Sequence, residues 1–74
     1  MIHGIYVKTK PKGKWYLFSL ADSAETAARD LENALKKAIK DGHEQAEVGI
    51  QVFNSSFYIP HILKEVAKDS PVYN

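Results

Sequence analysis

Seventy-four residues, 45% of them apolar and 26% charged, predict one domain over 1–74, near the lower size at which a chain buries enough apolar surface unaided. The chain has no cysteine, which excludes disulfide staples, thiolate metal sites and a cysteine nucleophile, and which fits a reducing cytoplasm. The formal charge of +1 conceals an asymmetry: Lys8, Lys10, Lys12 and Lys14 all precede the first carboxylate, Asp22, whereas the other six basic side chains share the rest of the chain with all nine acids.

Residues 2–9 (IHGIYVKT) and 14–20 (KWYLFSL) are rich in β-branched and aromatic types and predict two strands. Lys10-Pro11-Lys12-Gly13 joins them. Proline presets the first turn position, and a left-handed Gly13 would close a three-residue loop of the bulged type. In that register Lys10 faces Lys14, Lys8 faces Tyr16, Val7 faces Leu17, Tyr6 faces Phe18 and Ile5 faces Ser19. One face then shows Ile5, Val7, Trp15 and Leu17, and the other Tyr6, Tyr16, Phe18 and Leu20. A slip of one residue at the turn would exchange these faces.

Asp22 with Glu25 three residues on predicts an N-cap, and apolar residues at 24, 27, 28, 31, 34, 35, 38 and 39 follow at helical spacing. Glu25–Arg29 and Glu32–Lys36 are favourably ordered pairs on the wet side. Lysines gather at the carboxyl end and Gly42 supplies a stop, so the helix spans about 23–41. Five of its apolar positions are alanine, which permits close approach to a sheet of bulky side chains.

AEVGIQVF, at 46–53, alternates Val48, Ile50 and Val52 against Glu47, Gly49 and Gln51, a third strand with one buried face. Pro60 suits the first turn of a short helix over 60–68, and 70–74 reads as a frayed tail. Gly4 and Gly49 fall in adjacent strands, and the alanine-rich helix is the expected reason for their smallness.

The order β-β-α-β-α predicts an α+β two-layer sandwich: a three-stranded antiparallel sheet of order 2-1-3 with both helices on one face. The other face would then be open and apolar. A patch of that kind marks an interface, and a core this small gains from association. The expected function is therefore a non-enzymatic protein-interaction module, a homo-oligomer and most simply a dimer, joined through the open face or an edge. Tyr6, Trp15, Phe18 and Phe53 are the candidate self-association residues.

The alternative is weak, salt-sensitive nucleic-acid binding at the hairpin tip. Lys8, Lys10, Lys12 and Lys14 would meet phosphates and Tyr16 would stack on a base. No arginine joins that cluster, which removes the bidentate donor that specific recognition favours. The plain counter-reading is a solubilising turn whose lysines discourage edge pairing. His3, His43 and His61 fall on different elements without ligand spacing, and no base is placed to activate Ser55 or Ser56. No enzyme, cofactor, metal or small-molecule substrate is predicted. No apolar run approaches the ~20 residues that span a bilayer, and the start lacks the order of a signal peptide, so a cytoplasmic protein without a membrane partner is expected.

Overall fold

The computed structural model describes residues 2–53 and 70–73. The helix expected over 60–68 lies outside them, as do Ser55, Ser56 and His61. Three strands, β1 (Ile2–Lys8), β2 (Trp15–Ala21) and β3 (Glu47–Phe53), and one helix, α1 (Ala24–Lys40), follow in the order β1-β2-α1-β3. The sheet has order β2-β1-β3, and both pairings are antiparallel. This is the expected α+β class and strand order, with one helix among the described residues. No helix of the described residues is long and apolar enough to cross a membrane.

The hairpin corrects the expected register in its outer half. Near the open end Ile5 faces Ser19 and Gly4 faces Leu20, as the turn predicts. Beyond Ile5 the pairing slips by one, so that Tyr6 faces Leu17, Val7 faces Tyr16 and Lys8 faces Trp15. The extra residue is Phe18, a bulge on β2. The cause is at the tip. Gly13 N–H donates to the Lys10 carbonyl at 2.9 Å, and Gly13 does not take a positive φ, so residues 9–14 make a longer connection than the bulged three-residue loop. Lys10 and Lys14 therefore do not form a strand pair.

The bulge decides which side chains meet α1. Phe18 packs against the cluster of Ile5, Ala21, Ala27 and Ala34, with Leu31 and Val48 beside it. Ser19, on the same side, donates to Asp30 of α1 at 2.9 Å. Ala27, Ala34 and Ala38 are the buried residues of the helix, and their single methyl groups let its axis come close to fully buried Ile5 and Val7. The closeness itself follows from sequence; the identity of the aromatic beneath it does not.

Both helix ends are satisfied locally. The N-cap is Ser23 rather than Asp22: its Oγ accepts from the Thr26 amide at 3.2 Å and donates to Thr26 Oγ1 at 3.0 Å. Asp22 and Glu25 form no capping box, because the first helical turn begins one residue later. At the other end Gly42 takes φ 100°, its N–H reaches the Ile39 carbonyl at 3.0 Å, and His43 N–H reaches Ala38 at 2.9 Å. Those two bonds are a Schellman stop. Glu32–Lys36 closes at 3.0 Å, whereas Glu25–Arg29 is not among the ion pairs of the described residues.

Residues 70–73, expected to fray, dock instead on the outer edge of β2. Leu17 N–H donates to the Pro71 carbonyl and Tyr73 N–H to the Leu17 carbonyl, each at 2.8 Å, and Val72 makes a parallel bridge to Leu17. One edge of the sheet is thereby paired.

Candidate interaction surfaces

Three surfaces follow from this frame: the sheet face turned away from α1, the lysine tip and the outer edge of β3.

The face away from α1 was expected to be open; it carries a second cluster. Tyr6 and Leu17 are both buried there, with Ile2, Leu20 and Phe53 packed around them. The Tyr6 hydroxyl donates to Gln51 Oε1 at 2.9 Å, and burial raises its pKa above the ordinary tyrosine value. The two strand glycines are on this face, not beneath the helix. A Cβ on Gly4 would lie 2.9 Å from Phe53 Cε2 and 3.0 Å from Tyr6 Cε2, so both rings lie directly over its backbone. A Cβ on Gly49 would meet Trp15 Cη2 at 3.5 Å. The glycines make room for rings, and the helix has no part in it.

The expected self-association residues consequently separate. Phe18 belongs beneath α1, Tyr6 is buried and Phe53 is half-buried against it. Trp15 alone stays largely accessible, at 38%. It borders a shallow cleft of about 250 Å³ shared with Tyr6, Gly49, Ile50, Gln51 and Ser70.

At the tip the four lysines do not act together. Lys8 is drawn onto the sheet, 2.9 Å from Glu47 and 5.0 Å from the centroid of the Trp15 ring. Lys10, Lys12 and Lys14 are exposed and have no carboxylate partner among the described residues. Tyr16, expected beside Lys8, faces Val7 across the hairpin. Its ring meets Tyr73 edge-on at 6.1 Å, on the α1 side of the sheet. The slipped register thus parts the aromatic from the cation it was expected to assist.

Tyr73 gathers a small polar cluster that the sequence did not announce. Its hydroxyl donates to Asp41 at 2.7 Å, Lys37 reaches the same carboxylate at 3.4 Å, and His43 lies edge-on to the ring at 6.5 Å. Burial, helped by the Asp41 bond and charge, pushes the Tyr73 phenol up to about 12. The Tyr73 hydrogen bond, aided by Lys37, holds Asp41 below the usual carboxylate value. Asp41 owes its position to the Schellman stop, and Tyr73 owes its own to the two bonds at Leu17. The cluster anchors the chain end; it holds no arrangement of nucleophile and base.

The third surface is the outer side of β3, which has no neighbouring strand among the described residues. Ile50 and Val52 are on the α1 side of the sheet yet 45% and 53% exposed. Asp30 and Asp41 fix one flank of α1 towards β2 and the docked chain end, so Ala28, Leu35 and Ile39 form the opposite flank, towards β3. Ile39 is 51% exposed. The helix packs most against β1 and no less against β3 than against β2, yet Ile50 and Val52 stay exposed beside an edge that has no neighbouring strand among the described residues.

Comparison with protein-family models, with curated proteins and with solved structures finds no match in any of the three.

Proposed function

We propose that this chain is a non-enzymatic protein-interaction module that associates with itself, most simply as a dimer, through its sheet. The observation that carries the reading is the exposure of Ile50 and Val52, neighbours on one face of β3, beside an edge that has no neighbouring strand among the described residues. Single apolar side chains on a surface need no explanation, but two β-branched neighbours exposed along a sheet edge are what a second strand would cover. With Tyr6 and Phe18 withdrawn into the two clusters, the edge is favoured over the face. The test is sedimentation equilibrium from micromolar to millimolar protein: a mass rising towards twice 8.3 kDa is expected. A mass that stays at one chain throughout refutes the module.

A second reading, nucleic-acid binding at the hairpin tip, is favoured by Lys10, Lys12 and Lys14, which have no carboxylate partner among the described residues. It is weakened by the engagement of Lys8 with Glu47 and by the separation of Tyr16 from the tip. At most three phosphate contacts remain, and such binding would fade steeply with salt. Titration of labelled protein with a mixed single-stranded oligonucleotide, at low and moderate salt, should shift amides of residues 10–15 if this reading holds. A silent spectrum at low salt eliminates it.

A further inference from the structure

We propose that the partner is a second copy bound along β3, the two β3 strands pairing antiparallel about a two-fold axis at Ile50 to give a continuous six-stranded sheet. This rests on the self-association reading and names its site and register.

The first argument is the unequal treatment of the two edges. Native sheets protect exposed edges with lysine, proline, bulges or a covering segment. The β2 edge has three of these devices: the lysine tip before it, the bulge at Phe18, and the docked residues 71–73. β3 has none. It is seven residues long, pairs with β1 without a break in register, and contains neither lysine nor proline. Three of its residues, Val48, Ile50 and Val52, are β-branched.

The second argument is that β3 is complementary to itself. A two-fold axis perpendicular to a sheet keeps each side chain on its own face, so both helices would lie on one side and the apolar residues of β3 must meet their own kind. With the axis at Ile50 all seven residues pair. Ile50 faces Ile50 of the second copy, Val48 faces Val52, Gly49 faces Gln51 and Glu47 faces Phe53. Moving the axis by one residue either way leaves only five paired.

Charge permits the same arrangement. Glu47 is the one ionised side chain on the strand, its counter-ion Lys8 comes from its own chain, and no like charges are opposed. On the helix side Ile39 and Leu35 would extend the apolar contact beyond the edge, which a strand pair alone is too narrow to provide.

The chain has no cysteine, so single introduced cysteines give an unambiguous readout. Directly opposed residues have Cβ atoms about 4.5–5.5 Å apart, near the span of a disulfide. In the proposed register Ile50→Cys is therefore expected to form a covalent dimer rapidly on mild oxidation. Val52→Cys is expected to cross-link at least tenfold more slowly, because the two sites are offset by four residues, about 13 Å. Faster cross-linking at 52 than at 50 would overturn the register.

Sedimentation of Ile50→Lys separates the two levels of the claim. An association at least tenfold weaker, with the circular dichroism of the parent, is the expected result. A parent that dimerises and an Ile50→Lys variant that dimerises equally well would overturn the edge site while leaving self-association standing. A monomeric parent would overturn both.

Discussion

The glycines beneath the aromatic rings allow one substitution to be made twice with opposite results. Alanine in place of glycine in a strand interior gains about 0.5–1 kcal/mol from the smaller backbone entropy of the unfolded chain. At Gly49 the new methyl would meet Trp15 at 3.5 and 3.6 Å, ordinary van der Waals distances, so burial of that methyl adds to the gain. Gly49→Ala should stabilise by about 1 kcal/mol. At Gly4 the same methyl would lie 2.9 Å from Phe53 and 3.0 Å from Tyr6, closer than carbon atoms approach. The Tyr6 ring cannot move freely, since it is buried and bonded to Gln51. Overpacking of this kind costs about 1–3 kcal/mol. After the backbone gain is set against it, Gly4→Ala should destabilise by about 1–2 kcal/mol.

The two variants should then differ by about 2–3 kcal/mol, a large share of the roughly 4–11 kcal/mol expected for a domain of this length. Urea unfolding followed through the single tryptophan, Trp15, measures both. Each kcal/mol also moves Tm by about 4–8 °C, so thermal scans provide a second check. Two stabilised variants, or two destabilised by similar amounts, would refute the placement of Tyr6 and Phe53 over Gly4 and of Trp15 over Gly49.

Two further expectations concern the ends of α1 and of the chain. Gly42→Ala should cost about 1 kcal/mol from backbone strain alone, because nothing lies within 4 Å of the added methyl, and Gly42→Asn should cost less. Equal Tm values for parent and Gly42→Ala would contradict the Schellman stop. The Tyr73–Asp41 bond should limit docking of the chain end at both extremes of pH. The Tyr73 pKa is raised, so its contribution is intact below pH 10.0 and lost as pH rises through about 12. The Asp41 pKa is lowered, so its contribution is present above pH 3.8 and lost as pH falls through the depressed folded value. Hydrogen exchange at the Tyr73 amide across pH reads both limbs, and Tyr73→Phe should abolish the alkaline one; an unchanged alkaline limb would refute the bond.

What the sequence conveyed and what it withheld divide along a physical line. Alternation and helical spacing are properties of single segments, and they yielded β1, β2, α1 and β3 to within a residue or so, together with the Gly42 stop. The order 2-1-3 followed from the handedness of the connection and the shortness of the hairpin. Side-chain facing in the outer hairpin depended on a quantity no single segment contains, the length of the tip connection. Once Gly13 avoids a left-handed φ the register slips, Phe18 bulges, and Phe18 and Trp15 exchange the faces predicted for them. Docking of 70–73 was hidden for a similar reason. Val72 and Tyr73 have no periodicity to read, and their partners, Leu17 and Asp41, are distant in sequence.

That slip also moves the place where a partner would bind. In the expected register the face left uncovered, either that of Tyr6 and Phe18 or that of Trp15 and Leu17, would have been the natural site of association. With Phe18 beneath α1 and Leu17 beside Tyr6, both faces acquire clusters of their own, while the docked chain end occupies the β2 edge. Among the described residues, an edge without a neighbouring strand and unburied β-branched side chains then coincide at β3. An edge offers both kinds of interaction to a second strand at once, backbone bonds for affinity and Ile50 with Val52 for register, whereas a face offers only the latter. The alignment of Ile50 across a two-fold axis is the quantity that decides whether the sheet ends at β3 or continues through it.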